Sequence, residues 1–213
     1  GYFTLRLAHH VGQSGRVFTN LGGTNTSGRS LALQPDGKLI VAGRVAAGTD
    51  RFDFALARYH TNGAVDTSFG SSGLATLGLA GIKGVANGVA LQSDGKIVLA
   101  GAYQYDINAQ ERMVVARYLA NGTLDTSFGI GGKVIPYIGG VWDSASSVVI
   151  QPDGKIVVGG SASETNVQEC FALVRLHPNG TLDDSFGAGG KVTTLVKGDT
   201  LSGGQSVLRQ DDG

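Results

Sequence analysis

Short apolar runs alternate with glycine-rich polar turns along the whole chain. Runs such as Ile97-Val-Leu-Ala100 are apolar on successive residues, which suits a strand covered on both faces. They are too brief for helices, and no segment places its apolar residues at helical spacing. An Asp-Gly pair separates two apolar runs at Asp36-Gly37, Asp94-Gly95 and Asp153-Gly154. Glycine takes a positive φ without steric cost, so each pair predicts a β-hairpin.

The hairpins repeat. Asp36, Asp94, Asp153 and Asp211 follow one another at intervals of 58, 59 and 58 residues. The first three stand in Leu31-Ala-Leu-Gln-Pro-Asp-Gly-Lys38, Val89-Ala-Leu-Gln-Ser-Asp-Gly-Lys96 and Val148-Val-Ile-Gln-Pro-Asp-Gly-Lys155. A second block follows each: Phe54-Ala-Leu-Ala-Arg58, Met113-Val-Val-Ala-Arg117 and Phe171-Ala-Leu-Val-Arg175. Tyr2-Phe-Thr-Leu-Arg6 is the same block near the start. A third block begins at Asn62, Asn121 and Asn179 and ends in Ser-Phe-Gly at Gly70, Gly129 and Gly187. Each unit therefore predicts four strands, a to d. In the third full unit they are Val148–Gln151, Ile156–Gly159, Phe171–Leu176 and Val192–Val196. A four-stranded sheet covered on both faces by copies of itself is a propeller blade.

The pattern predicts an all-β chain: a β-propeller of tandem four-stranded antiparallel blades of about 58 residues. It reads as one domain over residues 1–213. The units are 1–29 (strands c and d only), 30–87, 88–145, 146–204 and 205–213 (strand a only). Such a chain makes either a four-bladed ring lacking one strand b or an arc of a larger propeller. Ala32, Ala90 and Gly43 on the inner strands are small, and the wide wedges of a four-bladed ring need bulk, so the arc is favoured. Unpaired strand edges would then allow copies of the chain to associate.

The segments LQPDGK, FALAR and NGxxDxSFGxxG, on this period, resemble the delta-60 repeat. The resemblance covers nearly the whole chain and is specific in three units. It implies a β-propeller and a bacterial secreted or cell-surface setting. The family has no established common catalytic residues, so the resemblance implies no activity.

Composition narrows the field. Lys and Arg number 17 and Asp and Glu 17, a net charge of +0. No excess of positive charge argues for nucleic acid or an anionic membrane. No apolar stretch reaches membrane-spanning length. Glycine stands at 35 residues and falls between apolar runs, as turns require. The single cysteine, Cys170, rules out an intrachain disulfide and a cysteine zinc site; beside Phe171, Ala172 and Leu173 it reads as a buried, inert thiol. Gly1 is followed at once by strand-like Tyr2-Phe3-Thr4-Leu5, so no signal peptide is expected in this sequence. There is no nucleophile elbow, zinc-protease helix or phosphate loop, and no cofactor or metal is expected. His9 and His10 are adjacent, and neighbours on a strand point to opposite faces.

Features shared by every unit are expected to serve the fold. Asp36, Asp94 and Asp153 belong to turns, in loops without the alternating ligands that calcium needs. Phe69, Phe128 and Phe186 are expected as anchors between blades. Arg58 and Asp66, Arg117 and Asp125, and Arg175 and Asp183 are each eight residues apart. A charge at the end of a buried strand needs a partner, so each pair predicts a charge-assisted bond within its blade. Asn25, Asn121 and Asn179 open formal sequons, but Asn-Gly is first a turn signal.

Function is expected where units differ. The b–c and d–a loops vary and share one end of the blades. They carry Trp142, Asp143, Tyr103, Tyr105, Asp106 and Asp199 as ligand-binding candidates. Aromatic faces beside carboxylates suit a carbohydrate or a peptide. The leading expectation is a non-enzymatic extracellular or cell-surface binding or scaffold module. One alternative is a polysaccharide-acting enzyme using loop carboxylates drawn from Asp106, Asp143, Glu164 and Asp199. A purely structural assembly unit is another.

Overall fold

The computed structural model describes residues 17, 19, 26–79, 81, 83–104, 111–139, 142–165, 168–195 and 203–210. Among them every regular element is a strand, twelve in all. The first meander is β1 (Ser27–Leu33), β2 (Leu39–Gly48), β3 (Arg51–Tyr59) and β4 (Leu74–Leu77). The second is β5 (Lys83–Leu91), β6 (Ile97–Gln104), β7 (Glu111–Tyr118) and β8 (Lys133–Val134). The third is β9 (Trp142–Ile150), β10 (Ile156–Thr165), β11 (Gln168–Leu176) and β12 (Lys191–Thr194). Pairing within each is antiparallel between successive strands. One parallel bridge, Phe52 to Lys83, links the first meander to the second. Among the described residues the hydrogen-bonded strands do not close into a ring.

The a–b turns follow from the Asp-Gly chemistry. Gly37, Gly95 and Gly154 have φ of 81°, 83° and 82°. The amide of each donates to the carbonyl of Gln34, Gln92 or Gln151, and the aspartate accepts from the amide of the following lysine. A bulge interrupts each a–b pair where a strand b glycine, Gly43, Gly101 or Gly160, meets a strand a carbonyl. A Cβ there would overlap the backbone of Ser27, Val85 or Ser144.

Successive blades stack face to face. One core joins Phe54, Leu56, Phe69 and Leu77 of the first blade to Ile97, Leu99, Val114 and Tyr118 of the second. The next joins Val98, Met113, Val115 and Phe128 to Ala145, Val158, Val174 and Leu176. Strands b and c are thus apolar on both faces because each face meets a different neighbour.

The strands are longer than their apolar runs. Strand b of the third unit continues from Gly159 to Thr165, and strand c begins at Gln168 rather than Phe171. Strand a begins at Trp142, not Val148. The hydrogen-bond ladder carries polar residues beyond the apolar core, because a paired backbone needs no apolar side chain to stay paired. Trp142, Asp143 and Tyr103 therefore stand on strands, not in loops. Residues 205–210, the described part of the strand a expected over 205–213, have no strand pairing; the Gly204 amide donates to Gly160 at 3.1 Å, and Val207 lies over Gly159.

Candidate functional site

The repeated residues form a clasp that recurs in each blade. Arg58 Nε donates to Asp66 Oδ2 at 2.8 Å, Arg117 to Asp125 at 2.8 Å, and Arg175 to Asp183 at 2.7 Å. The other carboxylate oxygen accepts from the hydroxyl of Ser68, Ser127 or Ser185. These bonds hold the carboxyls of Asp66, Asp125 and Asp183 well below the usual range, the serine hydroxyl contributing most. Each guanidinium also lies over a phenylalanine, 4.6, 4.6 and 4.5 Å from the centroids of Phe69, Phe128 and Phe186.

Two of these clasps reach across a blade junction. Arg58 Nη1 donates to Ala120 O at 2.7 Å, and Arg117 Nη1 donates to Pro178 O. The Gly70 amide donates to Asn121 O at 2.8 Å and the Gly129 amide to Asn179 O at 2.9 Å. The Asn-Gly turn of one blade thus sits on the Phe-Gly of the blade before it. Phe69 and Phe128 are fully buried there, whereas Phe186, with no such turn above it among the described residues, is half-buried. The six charged residues of the clasps serve the fold, and their repetition explains their position.

A different group collects at the variable-loop end between the second and third blades. Arg112 Nη1 is 3.5 Å from Asp143 Oδ2, and the same guanidinium lies 5.3 Å from the centre of the Tyr137 ring. Lys191 Nζ donates to Tyr137 O at 2.8 Å. Tyr137 and Trp142 are 59% and 42% exposed, while Asp143, next to Trp142 in the chain, is 0% exposed. Asp143 Oδ1 is covered and has no hydrogen-bond partner among the described residues. Burial pushes the Asp143 carboxyl above its usual range, against the pull of the Ile138 amide and Arg112. Beside it Glu111 is also pushed up by burial, opposed by a hydrogen bond with Ser144 and reinforced by the Glu169 charge.

None of these four residues belongs to the repeat. At the positions equivalent to Tyr137 stand Gly78 and Leu195; for Trp142, Lys83; for Asp143, Gly84; for Arg112, Asp53 and Cys170. The sequence pointed to Trp142 and Asp143. It missed Tyr137 and Arg112, which a comparison of equivalent positions would have singled out. Tyr103 is partly buried against the first core, on β6. Tyr105, Asp106 and Asp199 lie outside the described residues.

Asp143 was expected in an accessible loop. Its burial corrects that: the ladder of β9 with β10 places it opposite Ala162, facing inward. Cys170 is buried, its thiol donating to Ala162 O at 3.1 Å. Among the described residues no group of three or more His, Cys, Asp or Glu could hold a metal ion. No helix among them is long and apolar enough to cross a membrane.

Repeated β-meanders, each packed on the next, define a protein of propeller type. The chain belongs to the family described as domain of unknown function (DUF5122) beta-propeller, which matches residues 34–69, 92–128 and 151–186. No curated protein matches the chain.

Proposed function

We propose that this chain is a non-enzymatic binding module of the delta-60 type, acting outside the cell or at its surface. Its ligand contact is the Tyr137–Trp142 face at the junction of the second and third blades. One observation carries this reading. Four residues absent from equivalent positions lie around the junction of the second and third blades: Arg112 bridges buried Asp143 and the exposed Tyr137 ring, and exposed Trp142 adjoins Asp143 on β9. Two half-exposed rings present a flat apolar face at low entropic cost. Such a face fits a polysaccharide or an extended peptide.

For Asp143, one of the four candidate carboxylates, the enzyme reading finds less support. A hydrolytic carboxylate must reach its substrate, and Asp143 has no exposed surface. Polysaccharide and peptide arrays probed with the full chain test the proposal. Tyr137→Ala and Trp142→Ala are each expected to weaken binding at least about tenfold, since aromatic anchors commonly contribute about 2 kcal/mol or more. Unchanged binding in both variants would reject this face as the contact.

We further propose that four units surround one funnel, the ring rather than the arc. Leu33, Leu91, Ile150 and Arg209 hold equivalent positions in four successive repeats of the sequence, and all four line a single cavity. An open arc of a larger propeller would spread these positions around a wider hub.

A further inference from the structure

Three equivalent positions in and beside strand d set the second blade apart. The first blade carries Ser71, Thr76 and Gly78 there, and the third Ala188, Thr193 and Leu195. In the second blade they are Ile130, Ile135 and Tyr137, all exposed, Ile130 to 88%. Single exposed apolar residues are ordinary, but several along one edge mark a contact surface. Ile130 and Ile135 line a groove of about 530 Å³ with Val134 of the same blade and Leu182 of the next. Among the described residues, the only charged side chain lining it is Lys133, and the only other polar one is Thr181. Such a wall offers little to the hydroxyls of a sugar.

The backbone at this edge is open. The Ile130 amide donates to Lys133 O at 2.9 Å, so Lys133 turns its backbone groups away from β7. Strand alternation turns those of Ile135 and Tyr137 the same way, and exposure alternates with it: Pro136 is buried between two exposed neighbours. The ladder of β8 with β7 ends at Val134. Pro136, at the position of Leu77 and Thr194, has no N–H to continue it. The amide and carbonyl of Ile135 make no backbone hydrogen bond to a described residue, and Ile135 is 41% exposed, so an incoming strand can reach them.

We propose that this edge takes up an extended peptide with apolar residues at alternate positions and an acidic residue beside them. The peptide backbone pairs with Ile135, its apolar side chains cover Ile130 and Ile135, and its carboxylate meets Lys133. The groove continues the Tyr137–Trp142 face, so this assignment rests on the binding role given to that face and narrows its ligand to peptide.

The test is an array of hexapeptides with Val, Ile or Phe at alternate positions and Glu, Gln or Lys between them, probed with the full chain beside an array of β-glucan oligosaccharides. Glu members are expected to be retained. The best of them is expected to bind at least about tenfold more tightly in calorimetry than its Lys counterpart, the effect of one charge-assisted contact. Ile130→Ser and Ile135→Thr install the residues of the first blade, so both variants are expected to fold as the parent does and to weaken that peptide about tenfold each. Methylating the peptide's backbone nitrogens is expected to abolish binding, since an added strand is held by main-chain hydrogen bonds. No retained peptide, equal binding of Glu and Lys members, or a best peptide untouched by Ile130→Ser and Ile135→Thr would overturn the proposal. Oligosaccharide binding that is lost in Trp142→Ala, with no peptide retained, would overturn the groove and leave the aromatic face standing. Peptide binding lost in Ile130→Ser yet kept in Trp142→Ala would keep the groove and remove Trp142 from the contact.

Discussion

At the scale of single residues, the chain separates charges that hold the fold from charges that tune one site. Arg117 and Asp125 are 7% and 6% exposed, so neither can exchange its partner for water. Removing one leaves the other buried alone, which typically costs more than the pair contributes. Asp125→Ala is therefore expected to lower stability by about 3 kcal/mol, measured by denaturant unfolding. Asp143 acts in the opposite sense with pH. Its folded-state pKa is raised, so between the usual carboxylate range and that raised value the folded chain holds a proton the unfolded chain has lost. Its contribution to stability then falls as pH rises through that window. Asp66 and Asp125, with lowered values, contribute stability that is present above the usual range and lost as pH falls below it. Asp143→Asn should flatten the stability–pH slope just above the usual carboxylate range. An unchanged slope in unfolding titrations at several pH values would show that Asp143 ionises normally.

At the scale of elements, the decisive contact is an Asn-Gly turn seated on the preceding blade. A Cβ at Gly122 would lie 2.8 Å from the Gly70 amide nitrogen and 3.0 Å from the Phe69 ring, at a φ of 88°. Gly131, with φ of 59°, has nothing within 4 Å of such a Cβ. Gly122→Ala combines backbone strain with a clash and should cost roughly 2–4 kcal/mol, whereas Gly131→Ala should cost about 1 kcal/mol. Equal losses in thermal unfolding would mean that the turn is not packed against its neighbour. Much of this was legible in the sequence. The eight-residue spacing of Arg117 and Asp125 matched a strand-end charge to a partner across the following turn, and the Asp153-Gly154 pair located a hairpin. The rest was hidden for a physical reason. Apolar runs mark the core and not the ladder, so Trp142 and Asp143 looked like loop residues although β9 extends through them. Which blade a repeated arginine would grip was equally invisible, because the reach of Arg58 to Ala120 crosses 62 positions.

At the scale of the molecule, four equivalent positions around one funnel favour four units about one axis over an arc awaiting partners. Light scattering is accordingly expected to give a monomeric mass at every concentration, and a mass that doubles with concentration would restore the arc. The two ends of that axis differ in character. The turn end is built from repeated residues broken by Arg209, and the other end by Arg112, Tyr137, Trp142 and Asp143. The repeat made the first end easy to read and the second hard, since a position that varies carries no pattern to recognise. The binding role assigned to the variable end is the central claim, and Trp142, the only tryptophan, reports on it directly. The most direct measurement is its fluorescence during titration of the full chain with polysaccharides and peptides, beside a Tyr137→Ala chain. A saturable change for one ligand class, lost in Tyr137→Ala, is the result predicted. Binding seen by calorimetry that leaves Trp142 fluorescence unchanged would contradict the account.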